Sequence, residues 1–506
     1  MWLVCSGVVG HVLARHLESG RGLVVVYGSG TRETGKILKV LGERRSACDG
    51  VSRREAICVG GLGLFGGVGL PALLHARARQ QTDLPERARS VVLINLFGGP
   101  PHMDMFDLKP NAPQNVRGEM IGTPSSVPGL PICSLMPGIA GLMHEATLVR
   151  TYSHKYNSHN PYNVLTGFDG GSDRENYFAK RSDHPSMGSV CQYLDKGPRD
   201  VPRYVLMPAF PGYGQALRRA GPYGGYLGSR YDPLMTVCDP KWDRKGNGDY
   251  DPVLARGAPL LPSLDELPSV TADRLDRRRS LLEQFDTRLQ GIDKNGSLDG
   301  MTKFQQQVFG LLTSPKTRAA FDISDESRTV RDRYGDNLWG NSTLVARKLV
   351  EAGSTFVTVN WEAQRGGHWD LHGNNFGMLR GHLPVLDAMV SSLVTDLKSR
   401  GLLETTLVVV MGEMGRTPRI NAKAGRDHWP QCGFSLMFGG GIKRGCVVGR
   451  TDAQAAYPSD RPVSAGDMVA TIYHQLGVDP SMTVEDLNGR PVPIAHGGEP
   501  VFEAFA

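Results

Sequence analysis

The chain has 506 residues, of which 40% are hydrophobic and 21% are charged, and its formal net charge is +6. This length allows either two or three average domains or one large α/β domain with insertions. Residues 1–78 carry a net charge of +5, so the remainder is close to neutral and offers no basic footprint for nucleic acid. The eight cysteines show no zinc-type spacing.

The first eighty residues predict an export signal preceded by an extension. Ser52-Arg53-Arg54-Glu55 comes before an uncharged, largely apolar run at 56–74, and Ala76-Arg77-Ala78 follows. This order is typical of a secretory signal, and paired arginines favour the twin-arginine route. We expect cleavage near residue 79, a periplasmic or extracellular location, and no transmembrane segment in the mature protein. Residues 1–50 are expected to be poorly ordered; the alternative at 56–74 is a buried helix or membrane anchor.

After a polar linker at 79–90, apolar runs predict buried strands of a mostly parallel sheet. These runs lie at 91–97, 148–151, 355–359, 406–411 and 435–438. Leucines, valines and methionines at helical spacing predict an amphipathic helix over 379–397. Residues 168–260 predict an irregular excursion, 263–353 a helical region, and 491–506 a C-terminal tail. Strands that alternate with helices predict a doubly wound α/β domain over 91–490.

Clusters of Asp, Glu and His follow three of the predicted strands. Asp104 and Asp107 follow the first strand, behind two glycines and two prolines. His368, Asp370 and His372 alternate after the strand at 355–359, so an extended backbone would place them on one face and around one ion. The alternatives are turn or cap chemistry for the first cluster and a solvated loop for the second. The clusters together predict a polynuclear metal site beyond the carboxyl edge of the sheet.

The third cluster follows the strand at 406–411. Glu413 stands at the end of that apolar run, where an ionised carboxylate is costly unless it is paired or metal-bound. Asp427 and His428 come shortly afterwards and are further candidate ligands. The alternatives are an ion pair between Glu413 and Arg416 and an ordinary hydrogen-bonded histidine at 428.

Ser158 and His159 are candidate catalytic residues, because they precede Leu165-Thr166-Gly167 after the predicted strand at 148–151. A hydroxyl close to a metal could act as an activated nucleophile. The alternative for Ser158 is a helix N-cap, a position that favours serine.

These motifs resemble the family catalogued as domain of unknown function 1501. The resemblance covers roughly residues 50–490. Its most specific stretches are 97–110, 369–374, 412–418 and 425–430. That family consists of exported bacterial proteins, abundant in planctomycetes, and is placed in the alkaline phosphatase/sulfatase superfamily. The resemblance implies a three-layer α/β/α sandwich with a mostly parallel central sheet and an irregular insertion.

The superfamily binds two divalent ions, so the resemblance implies ligands for both. Asp104 would be the acidic ligand after the first strand, and Glu413 the carboxylate after a late strand. Asp370 and His372 would serve the other ion, with His428 as the late histidine. The nucleophile does not transfer cleanly, because counting back nine residues from the Thr of the Thr-Gly pair reaches Asn157 rather than Ser158.

The sequence therefore predicts an exported metal-dependent hydrolase of phosphate or sulfate esters. Two divalent ions (Zn, Mn, Ca or Mg) would activate Ser158 or water, and Arg416 would pair with the anionic group. The substrate would be a small-molecule or polysaccharide ester. No nucleotide cofactor is predicted, because the phosphate-loop spacing at 30–36 is followed by Ile37 rather than Ser or Thr. The alternative function is a non-catalytic, metal-containing binding protein at the cell surface or on polysaccharide.

Overall fold

The computed structural model describes residues 84–168, 177–213, 218–261, 314–362 and 368–506. The predicted upstream extension and export signal lie outside the described residues. The same holds for the first part of the predicted helical region, up to residue 313.

A sheet of eight strands forms the centre of the fold. In chain order the strands are β1 (Ser90–Asn95), β2 (Ala146–Tyr152), β3 (Tyr204–Met207), β4 (Leu234–Met235), β5 (Phe356–Asn360), β6 (Thr406–Met411), β7 (Gly433–Phe438) and β8 (Cys446–Val448). Their order across the sheet is β8-β2-β7-β6-β1-β5-β3-β4. Only β7 runs antiparallel to its two neighbours in this sheet. This is the mostly parallel sheet that the resemblance implies.

Helices cover both faces of the sheet. The helices that position the site and the core are α1 (Tyr162–Thr166), α2 (Met187–Tyr193), α3 (Leu338–Ala352), α4 (Asn375–Ser399) and α5 (Ala465–Gln475). Val92 and Ile94 of β1 pack in the core that contains α3 and α4, whereas Val91 and Leu93 pack in the core that contains α1, α2 and α5. Alternate side chains of β1 thus fill two cores, and each fully buried aliphatic side chain contributes about 1.5–3 kcal/mol.

Shorter elements connect this framework. The short helices are His102–Met105, Gln114–Arg117, Pro137–Leu142, Met143–Glu145, Gly225–Leu227, Ser229–Tyr231, Pro315–Phe321, Arg328–Tyr334, Leu403–Thr405 and Phe502–Ala504. The two-stranded pairs are Gly122–Thr123 with Ile132–Cys133, Lys241–Trp242 with Ala255–Arg256, Gly415–Arg416 with His428–Trp429, Arg450–Thr451 with Pro458–Asp460, and Thr483–Glu485 with Pro491–Pro493.

All five predicted strands are confirmed, and the amphipathic helix predicted at 379–397 lies inside α4. The prediction of an irregular excursion at 168–260 is wrong in part, because the region supplies α2 and two strands of the central sheet, β3 and β4. β3 has only four residues and lies between Pro202 and Pro208, so its apolar run is too short to stand out. The segment predicted as a C-terminal tail buries Ile494 and Val501 in the core beside α5. Among the described residues, no helix has the length and hydropathy needed to cross a membrane.

The parallel strands direct the predicted clusters to one edge of the sheet. β1 lies between β5 and β6, and Asn95 at its end is level with Asn360 and Met411 at the ends of these two strands. The segments that follow the three strands therefore begin side by side, at the edge where open α/β sheets bind their ligands.

Candidate metal centre

Four side chains meet beyond this edge. They are His159, Asp370, His372 and His428, and one ligand atom from each lies within 4.8 Å of the others. The Nε2 atoms of His159, His372 and His428 are 3.2, 3.0 and 3.3 Å from Oδ1 of Asp370. Three imidazole nitrogens that converge on one carboxylate oxygen form a donor set that could hold a divalent metal ion.

The loop after β1 holds the segment that carries Asp370 and His372. The backbone N–H of Trp369 donates to the carbonyl of Phe97 at 2.7 Å. Gly98 has a φ of +112°, and a Cβ there would lie 2.2 Å from the backbone nitrogen of Asp370. Only glycine allows the two loops to approach this closely.

Two carboxylates hold the other nitrogens of two of the histidines. Oε1 of Glu413 lies 2.9 Å from Nδ1 of His159, and it also accepts the backbone N–H of Gly98 at 2.8 Å. Oδ1 of Asp427 lies 2.7 Å from Nδ1 of His372. A carboxylate that accepts the Nδ1 proton leaves the Nε2 lone pair for a metal, which is the usual arrangement around metal-binding histidines.

The surroundings of Nε2 of His159 test whether the site fits a metal. This buried atom points into the group of four and lies 3.2 Å from Oδ1 of Asp370, without meeting the geometry of a hydrogen bond within the described part of the chain. A buried polar nitrogen that is poorly satisfied is costly in an ordinary core. The donor types, their convergence and this poorly satisfied nitrogen all fit a metal ion.

The electrostatics follow from the same contacts. Burial opposes protonation of His159, but its contacts with Asp370 and Glu413 outweigh burial and raise its pKa to about 9. Contact with Asp370 likewise raises the pKa of His372, whereas burial lowers the pKa of His428. Burial opposes ionisation of Asp370, yet Arg416, His159 and His372 hold its pKa well below the usual range. Asp370 is thus the anionic centre around which the donors gather.

Arg416 does not have the substrate-binding role that the sequence suggested. It is fully buried, and it donates to Asp370 Oδ1 at 2.5 Å, to the carbonyl of Gly99 at 2.9 Å and to that of Arg426 at 3.1 Å. Nη2, which donates to Asp370, also bonds the carbonyl of Gly98. The pairing of the strands Gly415–Arg416 and His428–Trp429 places Arg416 opposite His428. Because its donors are engaged by the protein, Arg416 positions Asp370 rather than binding an anion.

Asp104 and Asp107 are engaged elsewhere, so their prediction as metal ligands is not supported. Asp104 lies on the short helix His102–Met105, and both its oxygens bind Arg426, at 2.7 and 2.8 Å. Asp107 contacts Lys109 at 3.1 Å and Arg150 at 3.2 Å. Both carboxylates are neutralised by basic side chains and lie outside the group of four.

Three other residues that were predicted as metal ligands lie next to the group of four but are not members of it. His368 lies outside the group, because the chain bends there and Nδ1 of His368 accepts the backbone N–H of Asp370 at 3.1 Å. Glu413 and Asp427 contact the histidines from behind and are not members of the group either. They were predicted as ligands because sequence cannot distinguish a ligand from the carboxylate that supports one.

Ser158, the candidate nucleophile, directly precedes His159. His159 was predicted as a catalytic residue, and the structure places it in the group of four. Ser158 is 0% exposed, and its hydroxyl accepts from Nδ2 of Asn160 at 3.2 Å. The N-cap alternative is excluded, since the N-cap of α1 is Pro161.

Sequence reasoning missed two neighbours of the site. Tyr250, from the excursion, packs so closely on Gly373 that a Cβ on Gly373 would lie 2.8 Å from its ring. Glu362, two residues after β5, is buried and accepts the backbone N–H of Gly212 at 2.9 Å. Glu362 could have been noticed as a carboxylate just beyond a strand, but the excursion offers no pattern that singles out Tyr250.

Comparison with known proteins identifies the family. The family described as "Protein of unknown function (DUF1501)" matches residues 88–505. The chain belongs to this family. No curated protein matches the sequence.

Solved structures with partial similarity include three enzymes. The PsFucS1 sulfatase from Pseudoalteromonas sp. is 14% identical, with 80% of this chain and 70% of that chain covered and a TM-score of 0.33. The phosphonate monoester hydrolase SpPMH from Silicibacter pomeroyi is 11% identical, with 82% and 78% covered and a TM-score of 0.35. The lipoteichoic acid synthase LtaP from Listeria monocytogenes is 9% identical, with 83% and 80% covered and a TM-score of 0.32.

Proposed function

We propose that this protein is an exported, metal-dependent hydrolase of phosphate or sulfate esters. The observation that carries the proposal is the convergence of three imidazoles on Asp370, with Glu413 and Asp427 behind two of them. Binding alone seldom needs so complete a set. The three imidazoles favour Zn²⁺ over Mn²⁺, Ca²⁺ or Mg²⁺, which prefer oxygen ligands.

The residues of the site have different roles in the proposed hydrolysis. His159, Asp370, His372 and His428 would hold a divalent cation, which would supply Lewis-acid stabilisation of negative charge on the ester oxygens. Arg416 fixes Asp370, and Glu413 fixes the ring of His159, so the donors are held before the substrate arrives. Ser158 is our candidate nucleophile because it immediately precedes His159, and a water molecule is the alternative. The resemblance implies two ions.

The proposal is tested with purified full-length protein that has been stripped by a chelator and reloaded with Zn²⁺, Mn²⁺, Mg²⁺ or Ca²⁺. We expect hydrolysis of at least one member of a panel of aryl phosphates, phosphate diesters, phosphonates, aryl sulfates and sugar sulfates, and only in the reloaded protein. His428→Ala should abolish both metal binding and turnover. His144→Ala is the matched control, because His144 is 51% exposed and lies outside the group.

A non-catalytic, metal-containing binding protein is the second candidate. The full burial of Ser158 favours it, because a nucleophile has to reach its substrate. Ser158→Ala separates the possibilities: loss of turnover with metal retained identifies the nucleophile, and full turnover indicates water. A metal-loaded protein that hydrolyses nothing across the panel, but binds a surface polysaccharide saturably, would establish the binder instead.

Export is part of the proposal and is supported by Arg53 and Arg54 in front of the apolar run at 56–74. Replacing both arginines by lysine should keep the protein in the cytoplasm, because the twin-arginine route requires the pair. Cell fractionation of the double variant measures this. Unchanged export would reject the route.

A further inference from the structure

We propose that this site holds one divalent ion, not two, and that Glu413 positions His159 instead of binding a second ion. The inference rests on the proposed function only in taking the group of four to be a metal site. Its test reads metal content and not ester hydrolysis.

The described ranges contain one group of His, Cys, Asp or Glu side chains that could hold an ion, and its members are His159, Asp370, His372 and His428. Four donors of this kind match the tetrahedral shell of one ion, which can expand to a fifth position when a substrate oxygen binds. Among the described carboxylates that the sequence offered for a second ion, each has another partner.

Asp104 is unavailable because of its ion pair. Both of its oxygens are bound by Arg426, both side chains are 0% exposed, and Nδ2 of Asn375 donates to Oδ2 at 2.9 Å. An ion at Asp104 would have to displace a buried guanidinium and leave that charge without compensation.

Asp427 is engaged as well. Its Oδ1 lies 2.7 Å from Nδ1 of His372 and accepts from Nδ2 of Asn421 at 3.1 Å. These contacts make it the carboxylate that orients His372, in the same way that Glu413 orients His159.

Glu413 is the residue that decides between one ion and two. Its Oε1 is shared by His159 and the backbone N–H of Gly98, whereas its Oε2 is buried without a hydrogen-bond partner in the described part of the chain. One oxygen does not make an ion site, and no second donor set forms around it within the described ranges. If a second ion bound at the site, Oε2 of Glu413 is therefore the atom that it would contact.

Charge also argues for one ion. Asp370, Glu413 and Asp427 carry three formal negative charges at the site, and the fixed guanidinium of Arg416 carries one positive charge, 2.5 Å from Oδ1 of Asp370. With the three imidazoles neutral, as metal ligands must be, one divalent cation balances the remaining two charges. A second cation close to Asp370 would be repelled both by the first and by Arg416.

The test is a Co²⁺ titration of the metal-free full-length protein, followed by visible absorption and by elemental analysis after desalting. We expect one spectral species with an endpoint at one ion per chain. In Glu413→Gln the endpoint should stay at one, with an affinity about 10- to 100-fold weaker, the typical effect of losing a carboxylate behind a metal-binding histidine. His428→Ala, which removes a ligand, should bind no stoichiometric ion.

Two ions in the wild type that fall to one in Glu413→Gln would overturn the inference, because Glu413 would then be a ligand. No ion in the wild type would overturn both the inference and the proposed metal site. One ion without hydrolysis of any ester would leave the inference standing while the proposed function fails. If Glu413→Gln does not fold, the wild-type endpoint decides the number of ions, and Asp427→Asn measures the effect of a supporting carboxylate.

Discussion

The buried ion pair between Asp104 and Arg426 allows a sharp test of what the first acidic cluster does. Nε and Nη2 of Arg426 donate to the two oxygens of Asp104 at 2.7 and 2.8 Å, in a bidentate arrangement that is among the stronger hydrogen-bonded pairs in proteins. Nη2 also donates to the carbonyl of Val116 at 2.7 Å. Asp104→Asn keeps the shape of the side chain but removes the charge that neutralises this guanidinium.

We expect Asp104→Asn to lower the free energy of unfolding by about 3–5 kcal/mol, the cost of breaking a buried pair from one side. Both partners are 0% exposed, so water cannot compensate the remaining charge. The carbonyls around Arg426 are neutral and supply only part of what the carboxylate supplied. The number of metal ions per chain should not change, because Asp104 is outside the group of four.

Equilibrium urea denaturation, followed by tryptophan fluorescence at fixed metal concentration, measures this change. Glu119→Gln is the matched control, because Glu119 pairs with Arg380 at 2.6 Å while the two side chains are 58% and 55% exposed. The same carboxylate-to-amide change at this exposed pair should cost less than about 1 kcal/mol. Equal effects of the two substitutions, together with a loss of metal in Asp104→Asn, would refute the structural role of Asp104.

Two further predictions concern the loop after β1 and the carboxylate after β5. Gly98→Ala should abolish metal binding, measured by Co²⁺ titration, because its Cβ would lie 2.2 Å from the backbone nitrogen of Asp370. Burial raises the pKa of Glu362 to about 7 from an ordinary 4.5, so the folded protein keeps a proton that the unfolded chain releases. The free energy of unfolding should therefore fall by up to about 3 kcal/mol as the pH rises from about 4.5 to about 7, and Glu362→Gln should flatten this part of the urea-derived stability curve.

The strands were predictable because they are buried on both faces. All six residues of β1 and of β6 are buried, and apolar side chains fill most of these positions, so the sequence shows both strands directly. The same reasoning placed Asp370, His372 and His428 at the carboxyl edge. It could not find β3, whose four residues are too few to show a pattern between two prolines.

The roles of the carboxylates were not predictable from their positions. Asp104 and Asp370 both follow strands, and both are surrounded by cationic or imidazole groups, most of which come from distant parts of the chain. Arg426, which neutralises Asp104, is 322 residues away in sequence. Whether a carboxylate meets a guanidinium or imidazoles depends on how the loops fold over one another, and a single sequence does not show this.

The first cluster supports the site through its backbone and not through its aspartates. The Gly98 N–H binds Glu413, and the carbonyls of Gly98 and Gly99 accept from Arg416. Arg416 in turn holds Asp370. Because β1 lies between β5 and β6 in the sheet, the loop that follows it is the one place from which the segments after both neighbours can be fixed together. Glycines at 98 and 99 allow that close approach, which explains why a cluster rich in aspartate contributes its peptide groups to a candidate metal site built from other strands.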